Sequence, residues 1–278
     1  MTWRLRGVAG VAACALAAAG AGCAHIGHRP LREVVWQGDV TVRGTLVVAA
    51  GERLVIRPGT RVVFAFRDED GDGVGDARLV IRGAIDASGS ETAPIEFAPE
   101  TAGAPGAPRW AEVLVEDAVS ARFAHCRFVG AQQAVHAHRT PLVVASCRFE
   151  RNGIGLRFTG GPVAIRGSRF AANATAVRYW ESSPEIVGNV FEGNATAVFV
   201  REGSQRSVVT GNNFMSSADY HVKLGELQSA DVDARGNWWG TDQREQIERL
   251  IYDRLDADYL GRVRYDPPAS GPLGLAAP

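Results

Sequence analysis

A repeat close to 21 residues long constrains this chain more than its composition does, because a chain repeating at that period must stack one unit on the next. His125-Cys126-Arg127-Phe128, Ser146-Cys147-Arg148-Phe149, Gly167-Ser168-Arg169-Phe170, Gly188-Asn189-Val190-Phe191, Gly211-Asn212-Asn213-Phe214 and Gly236-Asn237-Trp238-Trp239 align. Their last aromatic residues recur at 21, 21, 21, 23 and 25 residues. A second column runs in phase through Val135-His136-Ala137, Leu156-Arg157-Phe158, Val177-Arg178-Tyr179, Val198-Phe199-Val200 and Val222-Lys223-Leu224, with apolar residues two apart as in a half-buried strand. A third passes through Val144, Ile165, Ile186, Val209 and Ala234. Three short β segments per repeat, with no 3.6-residue period between them, predict an all-β chain wound as a single-stranded right-handed parallel β-helix. Less regular segments from Val40 to Val115 supply the opening coils. About nine coils are expected over residues 34–240, a stack of about 40 Å.

In such a stack an inward polar residue can bond to its copy one rung away, about 4.8 Å along the axis. Ser168, Asn189, Asn212 and Asn237 form such a column, an expected Asn ladder, and Cys126 and Cys147 hold its two earlier rungs. The rung spacing lies within the Cα range of a disulfide, so Cys126 and Cys147 are a possible disulfide, with two buried thiols as the equal alternative. Solenoid ends must be covered. Residues 242–255 read as a short capping helix, with Asp242 at the N-cap, Glu245 at the capping-box position, and Ile247, Leu250, Ile251 and Leu255 on one face. The β-helix domain, helix included, is expected over 34–266, and the Pro- and Gly-rich stretch 267–278 as a flexible tail.

At the other end, Arg4 and Arg6 precede an uncharged Ala- and Val-rich stretch from Gly7 to Gly22, the layout of a secretory signal. Its end, Gly20-Ala21-Gly22-Cys23, resembles a bacterial lipoprotein signal. The resemblance implies a signal peptide over 1–22, lipidation at Cys23, and a tether over 23–33. The implied partner is the lipid bilayer, through acylated Cys23. Ala24 in place of Asp after the anchor implies the outer membrane, on its periplasmic or surface face. A formal net charge of −1 lacks the basic excess that phosphate binding needs, so nucleic acid is not an expected partner.

The opening Gly44-Thr45-Leu46 through Arg57-Pro58-Gly59-Thr60, the Gly-Asn-x-Phe coils, and the closing Gly236-Asn237-Trp238-Trp239-Gly240-Thr241 before a helix carry a family resemblance. The chain is similar over 34–266 to right-handed parallel β-helix proteins of the pectin-lyase-like superfamily, including the domain called carbohydrate-binding and sugar hydrolase. The resemblance implies the fold and leaves activity open, since these solenoids host lyases, hydrolases, epimerases, adhesins and scaffolds.

Two stretches carry site chemistry. Asp68-Glu69-Asp70-Gly71-Asp72-Gly73-Val74-Gly75-Asp76 offers carboxylates at positions 1, 3 and 5, the Val74 carbonyl at 7 and Asp76 at 9, a pattern suited to Ca²⁺ as a structural ion. Leu79 stands where an EF-hand has its bidentate Glu, so the loop is not an EF-hand. The second stretch is the outward side of the second column, where His136, Arg157, Arg178, Phe199 and Lys223 stack beside His138, Trp180 and Arg201. Cations interleaved with aromatics suit an acidic polysaccharide, with rings stacking on sugars and Arg pairing with acids. Arg127, Arg148 and Arg169 form a parallel basic ladder, with glutamates near enough in sequence to compensate it.

No catalytic residue is expected. A lyase or hydrolase needs clustered carboxylates on neighbouring coils, and the regular coils lack them. Asp219-Tyr220-His221 alternates between faces, and His221 lies about four coils from His136 and His138, too far for a shared metal. The expected function is a membrane-anchored, non-catalytic β-helix lipoprotein that binds a polysaccharide or serves as an envelope scaffold. The alternative is a polysaccharide-active enzyme, a lyase or epimerase.

Overall fold

At most corners of the regular coils, one residue takes a left-handed backbone conformation in the computed structural model of the chain. His125, Ser146, Gly167, Gly188, Gly211 and Gly236 do so at the first corner, with φ between 48° and 70°. Gly130, Arg151, Ala172 and Gly193 do so at the second, and Asp117, Arg139, Gly160, Glu181 and Gly203 at the third. Such a residue bends the chain within one position and sends the next side chain inward. Hence Cys126, Cys147, Ser168, Asn189, Asn212 and Asn237 are all buried. The structure describes residues 30–100, 109–225, 227–275 and 278. It divides into Met1–Pro30 and Leu31–Pro278, and the strands and the helix of the described residues all belong to the second unit. Cys23 and the signal-like stretch lie outside the described residues.

Three faces result, and neighbouring strands in them pair in parallel. The first face is a sheet of ten strands, from Arg32–Trp36 to Val263–Arg264. The second starts at Asp39–Val42 and the third at Thr45–Val48; the long strands Val190–Val200 and Asn213–Leu224 run through the corner between them and join both faces into one sheet. Eight coils carry a strand on all three faces, a ninth meets the second face through the single bridge of Trp238 to Asn213, and Val263–Arg264 adds a tenth strand to the first face by pairing with Val232–Asp233. The fold is a parallel β-helix, as the repeat predicts.

The core is a column of rings. Phe97, Phe128, Phe149, Phe170, Phe191, Phe214 and Trp239 stack with successive centroids 4.5, 4.8, 4.8, 5.1, 5.0 and 4.9 Å apart. The strand spacing sets these distances, and each stacked pair adds about 0.5–1.5 kcal/mol to the burial of its rings. Beside the column runs the expected ladder. The Cys147 N–H donates to Ser168 Oγ at 3.1 Å, the Ser168 N–H to Asn189 Oδ1 at 2.9 Å, the Asn189 N–H to Asn212 Oδ1 at 2.9 Å, and the Asn212 N–H to Asn237 Oδ1 at 2.7 Å. Cys126 and Cys147 stand in it as free, buried thiols: Cys126 Sγ donates to Ala87 O at 3.2 Å and Cys147 Sγ to Ala145 O at 3.3 Å. Burial holds the Cys126 thiol well above the usual range, with the neighbouring Cys147 adding to the effect.

The cap differs from the expected one. The helix covers Arg244–Arg249 only; Gln243 is at its N-cap with no side-chain cap bond, and Asp242 is exposed. Ile247 is buried, but Ile251 leaves as the strand Ile251–Tyr252, and Leu255 is 62% exposed. The open edge of Val222–Lys223 takes Ile251–Tyr252 as its parallel partner, and satisfying that edge outweighs extending a helix of six residues. Asp253 then ties the end together: it accepts from the N–H groups of Leu255 and Val263, both at 2.8 Å, and pairs with Arg262 at 3.1 Å. Residues 267–275 fold back over the last coils; they do not hang free.

Candidate functional site

Strand alternation places the predicted stripe on the outside of the third face. His136, Arg157, Arg178, Phe199, Lys223 and Tyr252 are in register on six successive strands. His138, Thr159 and Trp180 form the next column, and the Arg201 N–H continues the ladder to Tyr179 O at 2.8 Å. Beneath them Val135, Leu156, Val177, Val198 and Val222 face the core and fix the outer row.

Within the stripe, cations and rings alternate along the axis. The guanidinium carbons of Arg157 and Arg201 lie 5.1 and 5.3 Å from the Trp180 ring centroid, and that of Arg178 lies 5.2 Å from Phe199. Lys223 Nζ is 5.4 Å from Phe199 and 5.6 Å from both Tyr220 and Tyr252. The rings thus pair with the chain's own cations and support the positive charge of the stripe. Arg157 also donates from Nη1 to Gln133 Oε1 at 2.9 Å. Arg201 pairs with Glu202 at 3.3 Å. Burial holds the Arg157 guanidinium below its usual range, with Arg178 and Arg201 adding repulsion and Glu112 opposing it. Arg178 is lowered in the same way, by burial first and by Arg201 next, against Glu202.

Its border toward the first coils is acidic and imidazole-bearing. His136 Nδ1 lies 2.8 Å from Glu112 Oε2, and Arg78 approaches the same carboxylate at 3.6 Å. The His136 and His138 rings are 4.3 Å apart, and His138 meets Trp180 edge-on at 6.2 Å. Burial lowers the pKa of His138, and His136, Arg139 and Arg157 lower it further. His136 Nε2 and Arg157 Nε are enclosed with no hydrogen-bond partner among the described residues.

The second face carries the other predicted ladder, and there two of its three arginines, Arg127 and Arg169, are paired with glutamates. Arg127 lies 3.0 Å from Glu96 and 2.8 Å from Glu150, and Arg169 lies 4.0 Å from Glu150 and also pairs with Glu192. His221 turns into the core against Phe214 and Trp239, while Asp219 is exposed, so the Asp219-Tyr220-His221 group does not converge.

In the acidic loop, carboxylate oxygens of Asp68, Asp70 and Asp76 come within 4.8 Å of one another. Asp72 does not join them; its Oδ1 accepts from the Val74 N–H at 2.7 Å. Asp68 accepts from Gly71 and Gly73 N–H at 2.8 and 2.9 Å, and Asp76 from Glu69 N–H at 2.7 Å. Three of the five expected ligand residues are brought together. The loop packs so closely on Arg109 that a Cβ at Gly75 would lie 2.1 Å from the Arg109 carbonyl oxygen.

Several structural residues went unread in the sequence. Asn152, Asn173 and Asn194 form a second buried ladder: the Asn152 N–H donates to Asn173 Oδ1 and the Asn173 N–H to Asn194 Oδ1, both at 3.0 Å, and their Nδ2 groups donate to Phe128, Phe149 and Phe170 carbonyls. Their signal was an Asn three places after each of Phe149, Phe170 and Phe191. Glu112, Tyr220 and Tyr252 were missed as stripe members because they meet it only across strands. Comparison with family models, curated proteins and solved structures finds no match.

Proposed function

We propose that the chain is a non-catalytic β-helix lipoprotein, anchored through Cys23 at the outer membrane, whose third face binds an acidic polysaccharide. The observation that carries this reading is the row of cations fixed on aromatic rings, Arg157, Arg178, Arg201 and Lys223 on Trp180 and Phe199. Burial and mutual repulsion depress Arg157 and Arg178, so an incoming carboxylate relieves a cost already present in the free protein. The kinship with pectin-lyase-like solenoids is part of the same proposal. Affinity electrophoresis in gels containing polygalacturonate tests it. Retardation of the parent, reduced about tenfold or more in affinity by Arg157→Ala with Arg178→Ala, supports it. Unchanged retardation of the double variant overturns it, and so does the release of unsaturated uronate ends, which would make the face a lyase site.

A structural Ca²⁺ in the Asp68–Asp76 loop belongs to this reading, supported by the convergence of three carboxylates. Calorimetry on the parent and on Asp70→Ala tests it, and no heat from the parent at millimolar Ca²⁺ rejects it.

A further inference from the structure

The segment beyond the last strand is bound. The Gly236 N–H donates to Pro267 O and the Ala269 N–H to Asn237 O, both at 2.9 Å, which lays the segment on the ninth coil. Farther along, Asn213 grips one residue at both its backbone groups. Asn213 Nδ2 donates to Leu273 O at 2.9 Å, and the Leu273 N–H donates to Asn213 Oδ1 at 2.9 Å. Asn213 belongs to the outer column of the second face, in register with Val190, Arg169, Arg148 and Arg127. It is nevertheless only 5% exposed, as an outer residue covered by this segment must be. Toward the other end of the column, Pro278 lines a cavity of about 390 Å³ together with His125, Arg127, Ser146 and Arg148.

A carboxamide offers one donor edge and one acceptor edge, and against the N–H and C=O of a single residue it reads backbone without regard to side chain. Pro267, Pro268 and Pro272 each fix one φ angle before the tail docks, and the Leu275 N–H donates back to Leu273 O at 2.7 Å, so the segment that Asn213 holds is a restricted turn. Arg127 and Arg169 are already paired with Glu96, Glu150 and Glu192, and residues 267–278 bring no charged side chain to the column. We propose that the outer surface of the second face is a docking groove for a proline-interrupted peptide without charged side chains, and that the chain's own tail occupies it in cis. The groove is separate from the third face and does not depend on the reading of that face.

The test uses the full chain carrying Leu273→Pro, which removes the N–H that Asn213 accepts and loosens the tail without touching a coil. A fluorescent peptide copying residues 267–278 is titrated and followed by anisotropy. Saturable binding to the Leu273→Pro chain is expected. Binding to the parent should be about tenfold weaker or more, because the tethered tail competes at high effective concentration. Adding Asn213→Ala should cost about tenfold or more by removing both bonds. A peptide N-methylated at the Leu273 position leaves the protein unaltered and should lose affinity to a similar degree. The proposal is overturned by a lack of saturable binding to the Leu273→Pro chain, by equal binding to the parent, or by a methylated peptide that binds as well as the plain one.

Discussion

Among the described residues, His221 is the one histidine enclosed by the ring column, 1% exposed, with Nδ1 2.9 Å from Ser217 Oγ. Burial lowers its pKa to about 4, and a hydrogen bond with the Trp239 backbone opposes the shift only in part. In the unfolded chain the same group binds its proton near pH 6.5. Between those values the unfolded state holds more protons, so stability is full above pH 6.5, falls as the pH drops to 4, and changes little below that on this account. The loss is on the order of 3 kcal/mol. Urea midpoints at pH 7.5 and 4.5 should show it, and His221→Leu should flatten the difference. Asn173 tests the unread ladder. Its Oδ1 accepts from both Asn152 N–H and Nδ2, and its own Nδ2 serves the Phe149 carbonyl. Asn173→Ala leaves buried groups unsatisfied and should cost about 2–4 kcal/mol in urea unfolding. At this scale the sequence is legible where a column repeats one residue type at one spacing, as Asn189, Asn212 and Asn237 do. Cys126 and Cys147 sit in the same column, but spacing alone does not tell a thiol pair from a bond.

The corners decide the elements. Gly188 has φ of 70°, and a Cβ built on it would meet nothing within 4 Å. Gly188→Ala therefore carries no clash, only the left-handed cost of an L residue, about 1–2 kcal/mol. Thermal unfolding should register that loss, while Gly51→Ala, where φ is not positive and the Cβ is equally free, should stay within about 0.5 kcal/mol of the parent or gain slightly. Strands were legible because alternation of apolar residues survives in every coil, and turns were legible wherever Gly marks the left-handed position. The cap was less so. Ile247, Leu250, Ile251 and Leu255 share a helical face on paper, yet the need to pair the edge at Val222–Lys223 converts Ile251–Tyr252 to strand. A helical period cannot reveal an unsatisfied edge elsewhere in the fold, nor could composition reveal that Asn213 would bind the tail.

Across the whole molecule, the near-neutral total charge is laid out differently on the second and third faces, although acids such as Glu112 and Glu202 stand on the third face too. On the second face, glutamates sit between the arginines, and Arg127 is held above its usual range by Glu150 and Glu96 despite partial burial. On the third face, Arg157, Arg178, Arg201 and Lys223 occupy rungs about 4.8 Å apart and rest on rings. Outward position was legible from alternation; the cation–ring pairing was not, because it depends on side chains lying along the axis between coils. This asymmetry makes salt the decisive variable for the whole solenoid. At 0.01 M salt the screening length is about 30 Å, longer than the span of the four cations, and they act on a polyanion together; at 1 M it is about 3 Å, shorter than one rung, and each acts alone. Affinity for polygalacturonate should therefore fall about a hundredfold or more between those limits, as expected when several ion contacts release counterions. Arg178→Gln, which removes one of the four, should make the plot of log affinity against log salt shallower by roughly one unit. Arg148→Gln, on the second face and away from the ring-supported cations, should leave the slope as it is. Equal slopes for the parent and Arg178→Gln would mean that the polymer is held elsewhere, whereas a change for Arg178→Gln alone ties binding to the face whose cations alternate with rings.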